Sequence, residues 1–287
     1  MAVEIPNIPF AHSQGKKTPV EVVRLSELRA RETDLPIFAP KRPDFYVLMF
    51  VTEGAGSHWI DFMRHALRPG DVLQVRPDQV HAFDADSNHE ALLLLFRPEM
   101  VPASHVERLA IHLSQPVHLA SRDFKLLIQV LDFLQQIERM PAHIRLTSMA
   151  AGLLQAIIAG LDEWYAREHS LSANPGHQRA LELVHRFEQL LHHQVGRQSL
   201  VACAGQLHVT TRTLSRACQQ IRGTSPKKLI DRNLALEAKR QLILGNATGE
   251  EIGYDLGFSE ASNFVKFFKR IVGQTPEAFR LQQRRDE

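Results

Sequence analysis

The chain is poor in cysteine and has no long apolar run. Only Cys203 and Cys218 occur among its 287 residues, and we expect both thiols to be small buried groups in a reducing cytoplasm, with a disulfide or thiol sensor as the less favoured alternative. The longest apolar run, Met149 to Leu161, is interrupted by Gln155 and is too short to span a bilayer. The N-terminal MAVEIPNIPF lacks the basic and apolar regions of a secretion signal. We therefore expect a cytoplasmic protein without membrane segments.

Net charge is also small, but the charges are unevenly distributed. The formal net charge is +2. From His177 to the end there are 17 Lys and Arg against 11 Asp and Glu, whereas residues 1–176 hold 17 against 21. The length is sufficient for two ordinary domains. A basic C-terminal part beside an acidic N-terminal part indicates that only the C-terminal part contacts nucleic acid.

One pattern occurs twice in the C-terminal part. The first copy is LVACAGQLHVTTRTLSRACQQIRGTSP and the second is EEIGYDLGFSEASNFVKFFKRIVGQTP, with Gly223 and Gly273 in register 50 residues apart. Each copy contains two short amphipathic runs, and Thr210 or Ser259 precedes the second run, where a helix needs an N-cap. Two short helices joined by a tight turn form a helix-turn-helix, whose second helix can lie in the major groove of DNA.

The side chains expected to face outward have the chemistry that DNA contacts require. Arg, Asn and Gln make bidentate contacts with bases, while Lys and the remaining Arg suit phosphates. A solvated helix face is the alternative interpretation for either helix alone. Two copies in tandem favour DNA binding. The outward-facing residues are Arg212, Thr213, Ser215, Arg216 and Gln219 in the first copy and Ser262, Asn263, Lys266, Lys269 and Arg270 in the second.

The second copy also carries a specific family pattern. Its matching segments are IGYDLGFS at 252–259, NF at 263–264, FFKR at 267–270, GQTP at 273–276 and FR at 279–280. With the first copy, this stretch resembles the double helix-turn-helix domain of the AraC/XylS family of bacterial transcription regulators. The resemblance covers about a third of the chain. The family usually has Ala at this position. Gly253, which stands there in this chain, loosens that helix slightly.

The resemblance implies a role for each outward-facing residue and a long helix, starting at Pro226, that joins the two units. We expect base contacts from Arg212, Thr213, Ser215, Arg216, Ser262, Asn263 and Lys266. We expect phosphate contacts from Thr210, Gln219, Lys239, Arg240, Lys269 and Arg270.

Between Phe45 and Phe96 the pattern changes to short strands separated by Gly, Pro and Asp turns. Such spacing predicts a small antiparallel sandwich or barrel. The run PGDVLQVRPDQVHAF is similar to the second cupin motif and to the N-terminal effector-binding barrel of many AraC-type regulators. His81 matches the last metal ligand of cupin enzymes, but Asp44-Phe45-Tyr46 stands where the His pair belongs. Because three protein ligands are the usual minimum, we expect no metal, no cofactor and no enzymatic activity.

The barrel is therefore predicted to hold a pocket for a small effector. Strand alternation places alternate residues of 46–51 on opposite faces, and polar groups near strand ends would orient a ligand. The alternative is that His81 hydrogen-bonds its own turn and Arg76 is solvated. The candidate pocket residues are Tyr46, Leu48, Phe50, His58, Arg76, His81 and Phe83.

After Pro98 the pattern is helical again. A short candidate helix at 106–109 precedes two apolar stripes at 124–137 and 146–161. Stripes this wide favour a dimer interface, with intramolecular packing on the barrel as the alternative. The predicted fold is α+β and multidomain: a cupin-like barrel with a dimerisation helix pair, then an all-α domain of two helix-turn-helix units joined by a linker helix. The predicted boundaries are 1–100 for the barrel, 101–169 for the dimerisation segment, 170–176 for the linker and 177–287 for the DNA-binding domain.

These features together predict a sequence-specific DNA-binding transcription regulator that responds to an unidentified small-molecule effector. The family resemblance implies an activator more often than a repressor, and hence RNA polymerase as a partner besides DNA and a second copy of the chain. A constitutive or protein-controlled regulator, whose barrel serves only dimerisation, is the main alternative. A metal-dependent cupin enzyme fused to a DNA-binding domain is a remote one.

Overall fold

The computed structural model describes residues 6–11, 19–30, 37–77, 79–102, 105, 113, 115–141, 147–170, 175–194, 196–244 and 247–283. The chain divides into two compact units, one at Pro6–His169 and one that begins at Ser170. Within the described ranges, no helix combines the length and the apolar character needed to cross a membrane.

Two antiparallel sheets form the barrel of the first unit. The larger sheet has the strand order β10-β7-β4-β9-β2, the smaller one has the order β6-β5-β8, and a short parallel pair joins β1 to β3. The strands are β1 Asn7–Ile8, β2 Val20–Arg24, β3 Arg42–Pro43, β4 Tyr46–Glu53, β5 Gly56–Ile60, β6 Met63–Leu67, β7 Asp71–Val75, β8 His81–Phe83, β9 Glu90–Phe96 and β10 Val117–His118. A single-turn helix, α1, covers Leu25–Arg29. The predicted strand-rich barrel is thus confirmed.

The alternating residues of β4 belong to two different hydrophobic cores. Val47 and Met49 pack in the barrel interior with residues of the smaller sheet, such as Phe83. Leu48 and Phe50 pack on the opposite face of the larger sheet. Both faces of the strand are therefore buried, which explains why it consists almost entirely of apolar residues.

Two long antiparallel helices cover the outer face of the larger sheet. These are α2 (Ser121–Arg139) and α3 (Thr147–Ser170). Leu131, Leu134 and Ile157 are buried in the core that they share with the sheet. Much of both apolar stripes is therefore buried within one chain, as the alternative of intramolecular packing predicted. The candidate helix at 106–109 lies outside the described residues.

Helix α2 also satisfies the backbone of the edge strand β2. The Val22 N–H donates to Glu138 Oε2 over 2.8 Å, and Gln135 Nε2 donates to the Val22 carbonyl over 3.2 Å. Because β2 lies at the end of the larger sheet, these side chains occupy a hydrogen-bonding position that another strand would otherwise take. The helix therefore both covers the sheet and blocks part of its edge.

In the described residues of the second unit, all regular secondary structure is helical. Its helices are α4 Pro175–His193, α5 Leu200–Gln206, α6 Thr211–Arg222, α7 Pro226–Leu244, α8 Gly249–Asp255, α9 Ala261–Val272 and α10 Pro276–Gln283. Helices α5 and α6 form the first predicted helix-turn-helix, α8 and α9 form the second, and α7 is the predicted connecting helix. Gly223 and Gly273 end α6 and α9 at φ +61° and +89°, a left-handed conformation that glycine adopts without strain.

Two details of the sequence prediction change. Residues Ser170 and Pro175–Gly176 of the predicted linker are helical, and 171–174 lie outside the described residues. Strand β10 lies within 101–169, so the barrel sheet extends beyond residue 100. The larger sheet thus takes a strand from the segment that was expected to be only helical.

Candidate nucleic-acid interface

Helix α6 separates its apolar and polar residues cleanly. Leu214, Ala217 and Cys218 are buried in the core of the first helix-turn-helix. Of the predicted base-contacting residues on this helix, Arg212, Thr213 and Arg216 are exposed and Ser215 is half-buried. The predicted N-cap is confirmed, because Thr210 Oγ1 accepts a hydrogen bond from the Thr213 N–H over 3.1 Å.

Both cysteines of the chain lie in this core. Cys203 and Cys218 are free and buried. Burial raises the pKa of the Cys218 thiol to about 11, which leaves little thiolate at neutral pH. The prediction that they are small buried apolar groups is confirmed.

Helix α9 repeats the arrangement of α6 on an aromatic core. Phe264 and Phe268 are fully buried, while Ser262, Asn263 and Lys266 are exposed. The close packing also explains Gly253, because a Cβ there would lie only 3.0 Å from Phe264 Cβ. The helix before the turn therefore approaches α9 more closely than a larger residue would allow without a shift.

The N-cap of α9 differs from the prediction. Glu260, not Ser259, occupies this position, and its side chain makes no capping bond. Four residues separate the two helices in the first unit and five in the second, so Thr210 corresponds to Glu260 at the 50-residue offset. Ser262 Oγ donates to Glu260 Oε2 over 3.2 Å.

The predicted phosphate contacts fall into two groups. Thr210, Gln219 and Lys269 are exposed on the helices that carry the base-contacting residues. By contrast, Lys239 Nζ lies 5.4 Å from the centre of the Phe279 ring, and burial lowers the pKa of this amine. Arg240 forms an ion pair with Glu237 at 3.7 Å.

Arg270 has contacts within its own domain as well. Its guanidinium is 3.1 Å from Asp231 of α7 and 5.7 Å from the centre of the Phe267 ring. Lys239 and Arg270 thus contact other helices of the domain, whereas the Arg240 ion pair lies within α7. A phosphate contact from any of the three remains a prediction.

Two arginines that the sequence did not single out connect the helix-turn-helix units to other parts of the domain. Arg222, at the end of α6, donates twice to the Glu188 carboxylate of α4, each bond 2.7 Å long. Arg197 lies over the Phe258 ring at 5.1 Å, and its N–H donates to the Leu256 carbonyl over 3.0 Å. No local sequence pattern signals either pair, because the partners lie in different helices or turns.

The predicted effector pocket divides between two faces of the larger sheet. Tyr46, Leu48 and Phe50 belong to the core under α2 and α3, not to the barrel interior. This part of the pocket prediction is corrected: alternation gave two faces, but since both are apolar it could not tell which one faces the interior. Arg76 donates through N and Nε to Gln79 Oε1 within its own turn.

His58, His81 and Phe83 do lie in the barrel interior, close together. His58 Nε2 is 3.1 Å from His81 Nδ1, and the Phe83 ring meets the His58 ring edge-on at 4.6 Å. Burial lowers the pKa of His58 well below its usual value and that of His81 to about 3, and the Lys41 charge adds to both effects. Both imidazoles are therefore neutral at physiological pH.

No group of three or more His, Cys, Asp or Glu with metal-binding geometry occurs among the described residues. A cavity of about 300 Å³ lies outside the barrel, where α3 borders the 101–105 segment. Its lining residues are Val101, Pro102, His105, Gln155, Ala156, Ile158 and Ala159.

Comparisons with known proteins agree with this architecture. A family model described as "AraC-like ligand binding domain" matches residues 26–191, and one described as "Helix-turn-helix domain" matches 203–282. The HTH-type transcriptional activator RhaS of Pectobacterium atrosepticum is 23% identical over 266 residues, covering 83% of this chain and 86% of the relative. RhaS of Escherichia fergusonii is 24% identical over 253 residues, covering 85% and 87%.

Solved structures with some similarity include a 1.65 Å structure of ToxT from Vibrio cholerae. It is 12% identical with a TM-score of 0.42, over 91% of this chain and 97% of that one. An AraC-type regulator from Chromobacterium violaceum is 25% identical with a TM-score of 0.33, over 38% of this chain and 96% of that one.

A strand-rich domain followed by two helix-turn-helix units defines a DNA-binding transcriptional regulator. The family models together match most of the chain. The chain belongs to the AraC family of transcriptional regulators.

Proposed function

We propose that the chain activates transcription by placing α6 and α9 in successive segments of the major groove on one side of the duplex. The observation that carries this proposal is the pair of exposed polar faces, each held by a buried core and joined through one continuous helix, α7. Recognition helices that follow one duplex face are about 34 Å apart. The matched RhaS relatives are named as activators, which supports activation and, with it, contact with RNA polymerase in the cytoplasm.

In vitro selection tests DNA recognition directly. The full-length chain is used to select duplexes from a random pool, and the selected sequence is then footprinted. We expect two protected segments about one helical turn apart on one face of the duplex. A single protected segment, or no enriched sequence, would contradict recognition by both helices.

We further propose that the chain dimerises through the exposed apolar residues of α2 and α3. Leu126, Phe133 and Met149 remain 60%, 41% and 40% exposed although the other faces of these helices are buried. An Asp replacing Phe133 would place a charge in such an interface, so we expect Phe133→Asp to be monomeric in sedimentation. Phe38 is 41% exposed and lies outside the helices, so Phe38→Asp is the matched control and keeps the wild-type mass.

Regulation by a small effector is part of the same proposal, supported by the ligand-binding family match. Direct control by a protein partner is the second candidate, favoured by the packing of His58, His81 and Phe83 in the barrel interior, which are at most 7% exposed. A thermal-shift screen of the full chain against sugars, aromatic acids, amino acids and fatty acids separates the two. A ligand that binds only the folded state raises the melting temperature, and a hit that also changes DNA affinity supports the effector. Without such a hit, the protein-controlled alternative is favoured.

A further inference from the structure

The segment between α4 and α5 packs against the turn of the second helix-turn-helix. Arg197 lies two residues before Ser199, the N-cap of α5 in the first helix-turn-helix. Its backbone N–H nevertheless donates to the Leu256 carbonyl over 3.0 Å, at the end of α8 in the second helix-turn-helix. This contact joins the two helix-turn-helix units independently of α7.

The side chain of Arg197 strengthens the same bridge. Its guanidinium lies 5.1 Å from the centre of the Phe258 ring. The Phe258 ring in turn contacts Phe264 and Phe267 of α9, with ring centres 5.5 and 5.2 Å apart. A cation held over an aromatic face is attracted by the ring quadrupole. The contacts therefore run from the start of the first helix-turn-helix to α9, the recognition helix of the second helix-turn-helix.

Two glycines with left-handed backbone lie on either side of this contact. Gly196 has φ +105° and Gly257 has φ +83°, conformations that side-chain-bearing residues rarely adopt. A Cβ at Gly257 would lie 3.7 Å from the Arg197 nitrogen, an ordinary contact distance. The φ angles, not a lack of space, therefore favour glycine on both sides of the contact.

We propose that Arg197 is a positioning residue for DNA recognition: it holds the second recognition helix at a fixed separation and phase relative to the first. The proposal depends on the proposed function, in which both helices contact one duplex. Two recognition helices held at a fixed separation bind half-sites with only one spacing. If the separation can vary, several spacings are accepted. Arg197 therefore governs the choice of spacing, not the choice of base.

The test measures dissociation constants for a series of duplexes. The probe is the duplex selected by the full-length wild-type chain, with zero, one or two base pairs inserted between its half-sites. We expect the wild-type affinity to fall steeply with insertion. Arg197→Ala should bind the original spacing about two- to five-fold more weakly, the range for an exposed cation–π contact, and should lose less affinity on insertion. Arg197→Lys, which keeps the cation, should lie between the two.

Controls separate this role from a simple charge effect. Arg179→Ala removes an exposed arginine of α4 and should keep the wild-type dependence on spacing. If Arg197→Ala weakens all spacings by one factor and lowers the salt dependence, Arg197 is a phosphate contact and the inference is overturned. If the wild-type chain itself ignores spacing, recognition by two helices fails and the inference fails with it.

Discussion

His58 Nε2 and His81 Nδ1 lie 3.1 Å apart in the interior of the barrel. One of the two nitrogens must carry the shared proton and the other must accept it. Two protons cannot occupy the space between these nitrogens, so both rings cannot be charged at once. Burial, and then the neighbouring His81, His89, His65 and Lys41, lower the pKa of His58. The folded state therefore favours the neutral pair.

We expect this pair to make the barrel-containing unit, Pro6–His169, sensitive to acid. The pKa of His81 is lowered to about 3 and that of His58 is lowered well below its usual value, while the unfolded chain binds these protons near pH 6.5. Below about pH 6.5 the unfolded state takes up protons that the folded state does not, so stability falls as the pH is lowered toward 3. For His81 the loss is at most about 1.4 kcal/mol per pH unit over this range.

Tryptophan fluorescence measures this effect on the first unit alone. Trp59 and Trp164 are the two tryptophans of the chain, and both lie in Pro6–His169. We expect urea midpoints to fall between pH 7 and 5, and His81→Gln to flatten that dependence. His208→Gln, in the other unit, is the control and should keep the wild-type slope. An unchanged slope in His81→Gln would show that the pair does not control acid stability.

Base recognition is tested by truncating one residue on each recognition helix. Arg216 on α6 and Asn263 on α9 are exposed, and both side chains suit bidentate contacts with bases. We expect Arg216→Ala and Asn263→Ala each to weaken binding to the selected duplex by about 1–3 kcal/mol, with little change on random DNA. Equal losses on both duplexes would show that these residues do not read bases.

Lys269 is expected to contact a phosphate instead. It is exposed in the last turn of α9, and a lysine there contributes a point charge without base specificity. We predict that Lys269→Ala lowers affinity for selected and random duplexes alike and reduces the slope of log K against log salt by about 1. The measurement is a salt titration of both duplexes. A wild-type slope in Lys269→Ala would count against a phosphate contact.

The sequence could predict those parts of the fold that depend on local periodicity and turn chemistry. Thr210 was identifiable as an N-cap because the hydrogen bond spans only three residues. The same logic misplaced the cap at Ser259, because one additional residue in the second turn shifts the equivalent position to Glu260. A strict 50-residue offset from Gly223 and Gly273 would have found it.

Contacts between distant residues could not be predicted in this way. Glu188 and Arg222 are 34 residues apart in sequence, and nothing in either helix marks its partner. The β4 strand presents a related difficulty: because both its faces are apolar, alternation separated Leu48 from Met49 without showing which lies in the barrel interior. Only the packing of α2 and α3 on the larger sheet resolves that choice.

The contact between Glu138 and Val22 predicts how firmly α2 holds the sheet. Glu138 is 4% exposed, and its Oε2 accepts from the Val22 N–H over 2.8 Å. Glu138→Leu leaves that buried N–H without its partner, so we expect a loss of about 1–3 kcal/mol in the free energy of unfolding. Glu138→Gln keeps a carbonyl oxygen at the same place and should lose less. Urea unfolding followed by Trp164, on the helix next to α2, measures both variants. If Glu138→Leu were as stable as Glu138→Gln, the hydrogen bond to β2 would contribute nothing to the attachment of α2.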